Sequence, residues 1–338
     1  MKKSLIALAV LAAAGAASAQ STVTLYGIAD VWVGQTAVGV GAAHLTQTEV
    51  GGGGLSTSRW GLKGTEDLGG GLKANFTLEQ GFAIDTGVVV ATYGFDRVSK
   101  VGISGNFGAV DLGGRMATAY DDILGATNNL ANTNRALTAT VWGRGIGKYG
   151  SRFDNSIKFT SAKMSGFSGA LQVGLGEDKN TAVGATTNTS LNIMYGAGPL
   201  VVGLGYQTET APNATNATVT ASSMDSTIIG ASYNFGVVKV EGSYNTINKA
   251  GVKDTGYQLG LDIPVSSAAT VLLGYVNMSG DTAAGATYVN AKGFSLGGLY
   301  ALSKRTTLYG AYTKDSADNN VFDTQDNSLF AVGVKHTF

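Results

Sequence analysis

The chain has 338 residues, no net formal charge, no cysteine, two histidines, 50 glycines and only three prolines. Charge balance excludes the broad basic footprint of a nucleic-acid binder, and the absence of cysteine excludes a disulfide scaffold. Many glycines with almost no proline suit long hydrogen-bonded strands, because each proline deletes a ladder donor.

Residues 1–19 read as a leader. Lys2 and Lys3 precede an apolar core from Leu5 to Ala17, and Ala17-Ser18-Ala19 forms an A-x-A cleavage site. The domain proper is then 20–338, with acidic residues in slight excess once Lys2 and Lys3 are gone. After the leader no run of 18 apolar residues occurs, so no spanning helix is expected.

Residues 22–33 open the domain as a strand, followed by a glycine-rich loop over 39–54 and a second strand over 55–64. In the next segment Leu72, Ala74, Phe76 and Leu78 alternate with Lys73, Asn75, Thr77 and Glu79. Period two over eight residues predicts a strand with one apolar and one polar face. The same alternation returns around residues 156–159, 171–175, 200–206, 238–244, 257–263 and 330–338. Short turns (106–108, 163–166, 198–199, 235–236, 303–304) trade places with longer polar loops (177–187, 208–225, 279–290, 315–327). That asymmetry is expected of an up-and-down barrel in a membrane. Sixteen strands fit the pattern, and eighteen would fit the length.

A soluble sandwich would show the same alternation. Two features favour a closed transmembrane β-barrel. The apolar parity carries many aromatic residues, among them Tyr26, Tyr233, Phe235, Tyr257, Tyr275 and Phe330, as interfacial girdles require. Small residues and charges crowd the other parity, which suits a wet lumen. The interval 116–150 keeps neither a period of two nor a sustained helical period. A loop this long inside an all-strand chain is functional or disordered, and the expectation is that it folds into the bore.

At several places the chain resembles the Gram-negative general porins, in particular the group typical of β-proteobacteria. The matching segments are Val23-Thr24-Leu25-Tyr26-Gly27 with Asp30, the run from Ser58 to Gly69, and Ser151-Arg152-Phe153-Asp154-Asn155-Ser156. Gly166-Phe167-Ser168-Gly169, Ser303-Lys304-Arg305-Thr306 and the terminal Val332 to Phe338 complete the set. The resemblance implies an all-β, sixteen-stranded antiparallel transmembrane β-barrel with an inward-folded third loop, assembled as a homotrimer. Its surroundings would be outer-membrane lipid and lipopolysaccharide. It also implies that the terminal strand, with His336 and Phe338, is the assembly signal read by the outer-membrane insertion machinery. One departure stands out: where similar porins read Leu-Gly-Arg-Gln, this chain reads Leu112-Gly113-Gly114-Arg115-Met116. Gly114 occupies the family arginine position, and a one-residue slip exchanges faces in a strand, which leaves the face taken by Arg115 open.

A passive pore needs no nucleophile, metal or cofactor, only fixed charges acting on solutes in a narrow place. Carried over residue by residue, the resemblance gives a basic wall of Arg59, Arg97 and Arg152, supported by Lys63, Lys73 and Lys158. Period two independently puts all of these on the polar parity except Arg97, which shares the parity of Val101 and Ile103. The acidic side would be Asp121 and Asp122 on the loop, with Glu79 and Asp154 on the wall. Basic candidates outnumber acidic ones, so weak anion preference is expected. Arg135, Arg144 and Lys148 lie late in the loop with no face assigned.

Other chemistry fades. The glycines at 51–54, 143, 145 and 147 lack the strand–loop–helix context of a phosphate cradle. His44 and His336 suggest no catalytic pocket, and Asp315, Asp318, Asp323 and Asp326 lack calcium-loop spacing. The leading expectation is a channel for passive diffusion of small hydrophilic solutes and ions, without cofactor. A solute-specific channel for sugars or organic anions is the alternative, and an outer-membrane barrel enzyme a more distant one.

Overall fold

The computed structural model describes residues 22–40, 43–89, 94–129, 137–146, 149–177, 186–210, 223–319 and 325–338. The leader assigned to residues 1–19 lies outside the described residues. Among them, no helix is long and apolar enough to cross a membrane; strands do the crossing.

Strand β1 (Thr22–Val40) is followed by β2, which comes in two pieces, Ala43–Gly52 and Arg59–Gly69. Next are β3 (Leu72–Gly81), β4 (Val98–Gly105), β5 (Gly108–Gly114), β6 (Ser156–Ser161), β7 (Phe167–Leu175) and β8 (Thr187–Ala197). The circuit continues with β9 (Leu200–Thr210), β10 (Ser223–Asn234), β11 (Lys239–Lys249) and β12 (Val252–Pro264). It finishes with β13 (Ala269–Asp281), β14 (Thr287–Ala301), β15 (Thr306–Asn319) and β16 (Gln325–Thr337). Each strand pairs antiparallel with its neighbour in sequence, and β1 pairs with β16 from Ile28↔Thr337 to Val40↔Gln325. Closure leaves no sheet edge, the condition for a sheet to exist in lipid.

Period two is obeyed around the ring. Along β10, Thr227, Ile229, Ala231 and Tyr233 are exposed, whereas Ser226, Ile228, Gly230 and Ser232 are buried. The outward set meets lipid, and rim aromatics pair on it, such as Tyr233 with Phe235 and Tyr257 with Tyr275. Tyr26 corrects the expectation of a girdle residue. It points inward and donates to Glu79 Oε2 at 3.0 Å.

Two further expectations shift. The glycine-rich stretch predicted as a loop over 39–54 is largely strand, a β1–β2 hairpin paired from Val31↔Gly52 to Val40↔Ala43. Its glycines serve packing: a Cβ on Gly51 would strike the indole of the buried Trp32. The loops expected over 279–290 and 315–327 are shorter, because β13, β14 and β15 extend into them.

The interruption of β2 has a definite cause. Asp30 on β1 is fully buried. Its carboxylate accepts the N–H groups of Gly54, Leu55 and Ser56 at 3.2, 2.8 and 2.6 Å and the Tyr309 hydroxyl of β15 at 2.6 Å. Three of the six residues that leave the ladder thus recover hydrogen bonds from one side chain, as buried backbone donors must. Around it Trp32, Leu55, Tyr309, Leu329 and Ala331 form an apolar cluster at the β1–β16 seam. Each buried donor orphaned by loss of the carboxylate costs about 1–3 kcal/mol. Asp30→Ala is therefore expected to lower the temperature at which the barrel loses its folded mobility in detergent gels. Tyr309→Phe, which removes one bond and keeps the ring, lowers it less. Equal behaviour of both variants and wild type would overturn this account of the seam.

Candidate functional site

The described residues of the interval between β5 and β6 pack against the inner face of the barrel. Met116–Ala117 pairs with Arg152–Phe153 as a small ribbon at its root, and between them run helix α1 (Ala119–Thr127) and helix α2 (Leu137–Val141), the latter followed by a 3₁₀ turn, Trp142–Arg144. The interval carries no sustained helical period in sequence, yet it holds these two short helices. Thr118 caps α1, its hydroxyl accepting the Asp121 N–H at 3.2 Å, and Tyr120, Ile123 and Thr127 form one buried face. Nine residues are too few for a period to stand out in sequence.

The wall is shaped to receive this helix. A Cβ on Gly203 of β9 would overlap Ile123, and one on Gly230 of β10 would overlap Thr127. Polar side chains on the same inner face then hold the loop's backbone. Asn192 Nδ2 donates to Ala119 O at 2.7 Å, Gln258 Nε2 to Thr127 O at 2.7 Å, and Gln207 Nε2 to Gly150 O at 2.8 Å. In return the Tyr120 N–H donates to Ser190 Oγ at 2.9 Å, and Trp142 Nε1 to Asn277 O at 3.1 Å. Two ion pairs fix the ends: Lys158 Nζ to Asp122 Oδ2 at 2.7 Å near the root, and Arg144 Nη2 to Asp315 Oδ1 at 2.9 Å on β15, where Arg144 also bonds Gln325.

Opposite lies a row of arginines. Glu79 on β3 is buried and receives three groups: Arg97 Nε at 2.8 Å, Arg59 Nε at 3.5 Å and the Tyr26 hydroxyl at 3.0 Å. Arg152 Nε donates to Arg97 O at 2.9 Å, and Arg115 Nε to Asp96 O at 2.7 Å. Arg97 escapes the outward parity of Val101 and Ile103 because it sits in a bend one residue ahead of β4. Lys63 lies over the Tyr26 ring at 5.1 Å. Lys73 is exposed beside the 70–71 turn, away from the arginines.

On the loop, Asp121 accepts the Tyr149 hydroxyl at 2.8 Å. Burial raises the Asp121 carboxyl above its ordinary range, opposed by that bond and by Arg152. Burial raises Asp122 too, opposed by Lys158. Asp154 is largely exposed and joins Arg115 at 3.5 Å. Arg135 and Lys148 lie outside the described residues, and no cluster of three or more potential metal ligands occurs among those described.

A closed sixteen-stranded barrel with a loop bound inside it by its own wall frames the comparisons. A family model described as Gram-negative porin matches residues 5–320. The chain is 37% identical to outer membrane porin protein 32 of Delftia acidovorans, over 99% of this chain and 95% of that one. It is 31% identical to an outer membrane porin of Bordetella pertussis over the full length of both. Among solved structures, an anion-selective porin from Comamonas acidovorans superposes with a TM-score of 0.78 at 30% identity, covering 94% of this chain and all of that one.

The chain belongs to the Gram-negative porin family.

This porin is an outer-membrane protein whose barrel forms a channel. Its departure at Gly114 is resolved by the backbone: Arg115 adopts a left-handed φ of 57° past the end of β5 and so is not bound by strand parity. Sequence reading missed Lys100, which pairs with Asp111 at 2.7 Å across neighbouring strands. Lys100 shares the parity of Gly102 and Ser104, opposite Val101 and Ile103, so the signal was present. The Lys158–Asp122 pair ties wall to loop within a largely buried setting, where removing one partner costs about 3–5 kcal/mol before discounting for the partial exposure of Asp122. Lys158→Ala in this porin is expected to loosen the root of the loop and raise open-channel current noise at least twofold. Noise equal to wild type would show that the pair does not restrain the loop.

Proposed function

We propose that passage through this porin is governed by the field between the arginine row and helix α1. On one side stand Arg59, Arg97 and Arg152, with Lys158 and the more remote Lys63 and Lys73. On the other stand Asp121 and Asp122; Glu79 and Asp154, expected on this acidic side, lie instead among the arginines, Glu79 between Arg59 and Arg97 and Asp154 beside Arg115. The observation that carries this reading is the sharing of Glu79. One carboxylate serves both Arg59 and Arg97, and the Arg152 guanidinium rests on a backbone carbonyl. The row therefore keeps uncompensated positive charge facing the bore. Low-dielectric walls focus such a field on solutes, and the sign favours anions. Similarity to an anion-selective porin agrees with that sign. Passive diffusion of small hydrophilic solutes, with a weak preference for anions, is the function.

Three copies form the working assembly, and the leader over residues 1–19 is removed on export. Insertion machinery reads the terminal strand, and lipopolysaccharide and lipid surround the outer face. In the folded barrel Phe338 exchanges two backbone hydrogen bonds with Gly27, both at 3.1 Å, and His336 Nδ1 meets Thr306 Oγ1 at 2.9 Å.

Reversal potentials under a salt gradient in a planar bilayer test the charge assignment. Wild type prefers chloride over potassium. Glu79→Gln strengthens that preference, and Arg97→Ala weakens it; potassium preference in wild type would overturn the reading. The pH dependence has a fixed sign. Raised carboxyl pKa values mean that Asp121 and Asp122 lose charge on acidification earlier than ordinary carboxylates. Chloride preference should therefore grow as pH falls, beginning above the usual carboxylate range. A preference that stays flat until ordinary carboxylates titrate would remove these two residues from the selectivity field.

A further inference from the structure

On the outer face of the barrel an apolar groove of about 750 Å³ crosses five strands, from β14 to β2. Register makes it one continuous track. Its upper edge is the row Gly298–Gly310–Val332–Val33–Val50, and its lower edge the row Tyr300–Leu308–Val334–Val31. Between the rows Tyr309 and Trp32 turn inward into the seam cluster, so the floor is backbone. The track climbs away from the short-turn end of the barrel, the periplasmic end in barrels of this kind. Gly298 lies three residues from Ala301 at the end of β14, whereas Val33 lies eleven from Thr22 at the start of β1. Four strand spacings make the track roughly 19 Å long. With strands tilted roughly 40° it rises roughly 12 Å, most of the roughly 15 Å of hydrocarbon in one leaflet. Gly298 and Gly310 open its lower end. Unlike Gly203 and Gly230, they make room for no side chain of this chain: a Cβ on Gly298 would meet nothing within 4 Å, and one on Gly310 nothing nearer than 3.9 Å.

Below that end lies a motif that the channel function leaves unused, Ser303-Lys304-Arg305-Thr306. Ser303 Oγ accepts the N–H groups of Arg305 and Thr306, both at 3.1 Å, which fixes the turn between β14 and β15. Lys304 and Arg305 are exposed, and neither joins an ion pair among the described residues. Tyr300, exposed just above them, is the kind of ring that sits at headgroup level. We propose that the groove seats one acyl chain of an anionic phospholipid of the periplasmic leaflet, with the headgroup phosphate on Lys304 and Arg305. The planar guanidinium fork matches phosphate oxygens, and the lysine adds a point charge. From there the chain enters at the two glycines and lies up the track. Two features select a lipid over a second copy of this chain. Cations stand at one end of an otherwise apolar track, which is the polarity of a lipid molecule. The edges are neighbouring same-face rows, roughly 7 Å apart, a width for one hydrocarbon chain. The inference rests on the outer-membrane placement of the barrel and not on the charge assignment in the bore.

Native mass spectrometry of the full-length protein, released from detergent carrying a known amount of lipid, tests this. The probe is palmitoyl-oleoyl phosphatidylglycerol, and the comparison is the phosphatidylcholine with the same chains, which has the phosphate but no net charge. Wild type holds phosphatidylglycerol about tenfold more tightly. Lys304→Gln combined with Arg305→Gln removes that preference. Gly298→Val combined with Gly310→Val fills the trench and lowers retention of both lipids. Valine suits a strand face, and heat-resistant gel mobility reports that each variant is folded. Phosphatidylglycerol retention unchanged in either folded variant overturns the proposal. Indifference of wild type to the headgroup does so too, because bulk lipid behaves that way. If the glycine variant loses its oligomer while keeping its lipid, the groove belongs to a second copy; if equimolar lipopolysaccharide displaces the probe, it belongs to the other leaflet. Either result also overturns the proposal. The channel reading stands in every case, since no ion passage enters the measurement.

Discussion

Hydrogen-bond closure is the constraint on which the rest depends. Inside lipid an unpaired backbone group has no water to turn to, so a sheet can cross only as a ring. Here the ring closes where β1 meets β16, a pairing from Ile28 to Val40 that joins residues some three hundred positions apart. Such a contact carries a loop-closure cost that grows with the length of chain between its partners. The buried Asp30–Tyr309 bond and the apolar cluster around Trp32 and Leu329 stand at this seam. One carboxylate also holds the excursion that splits β2, so closure and the local break in the ladder share a side chain.

A closed ring of this circumference leaves a wide lumen, and the inner wall narrows it with its own chain. Glycines at 203 and 230 create the recess for α1. Asn192, Gln207 and Gln258 then replace water as partners for the loop's carbonyls. A helix of nine residues would be marginal in isolation; its stability is tertiary. The outcome is an asymmetric bore, with the loop and its carboxylates on one side and arginines gathered about Glu79 on the other.

Strand positions were legible because lipid outside and water inside impose opposite demands on alternate residues. The run from Leu72 to Glu79 shows this without any structure. Tyr26 was misread for a related reason: aromatic rings suit either an interface or a polar lumen where the hydroxyl finds a partner, and parity in an end segment is a weak guide. Arg97 was ambiguous because a bend, not the strand period, sets its direction. Arg115 depended on a single left-handed residue. The pairing of Lys100 with Asp111 was open to parity reasoning, but charge lists made from loop and family positions passed over it.

The sequence by itself determined the class: alternation, scarce proline and absent cysteine leave an all-strand membrane protein, and motifs along the whole domain name its relatives. Period two is a local property, visible wherever eight residues are read together. Only the tertiary structure decided which charges face one another, how the loop is seated and where a groove opens on the outer face. Those arrangements rest on contacts between residues far apart in the chain, such as Arg144 with Asp315 and Asn192 with Ala119. No local pattern encodes the distance between two walls of a barrel; the number of strands and the register of their closure set it.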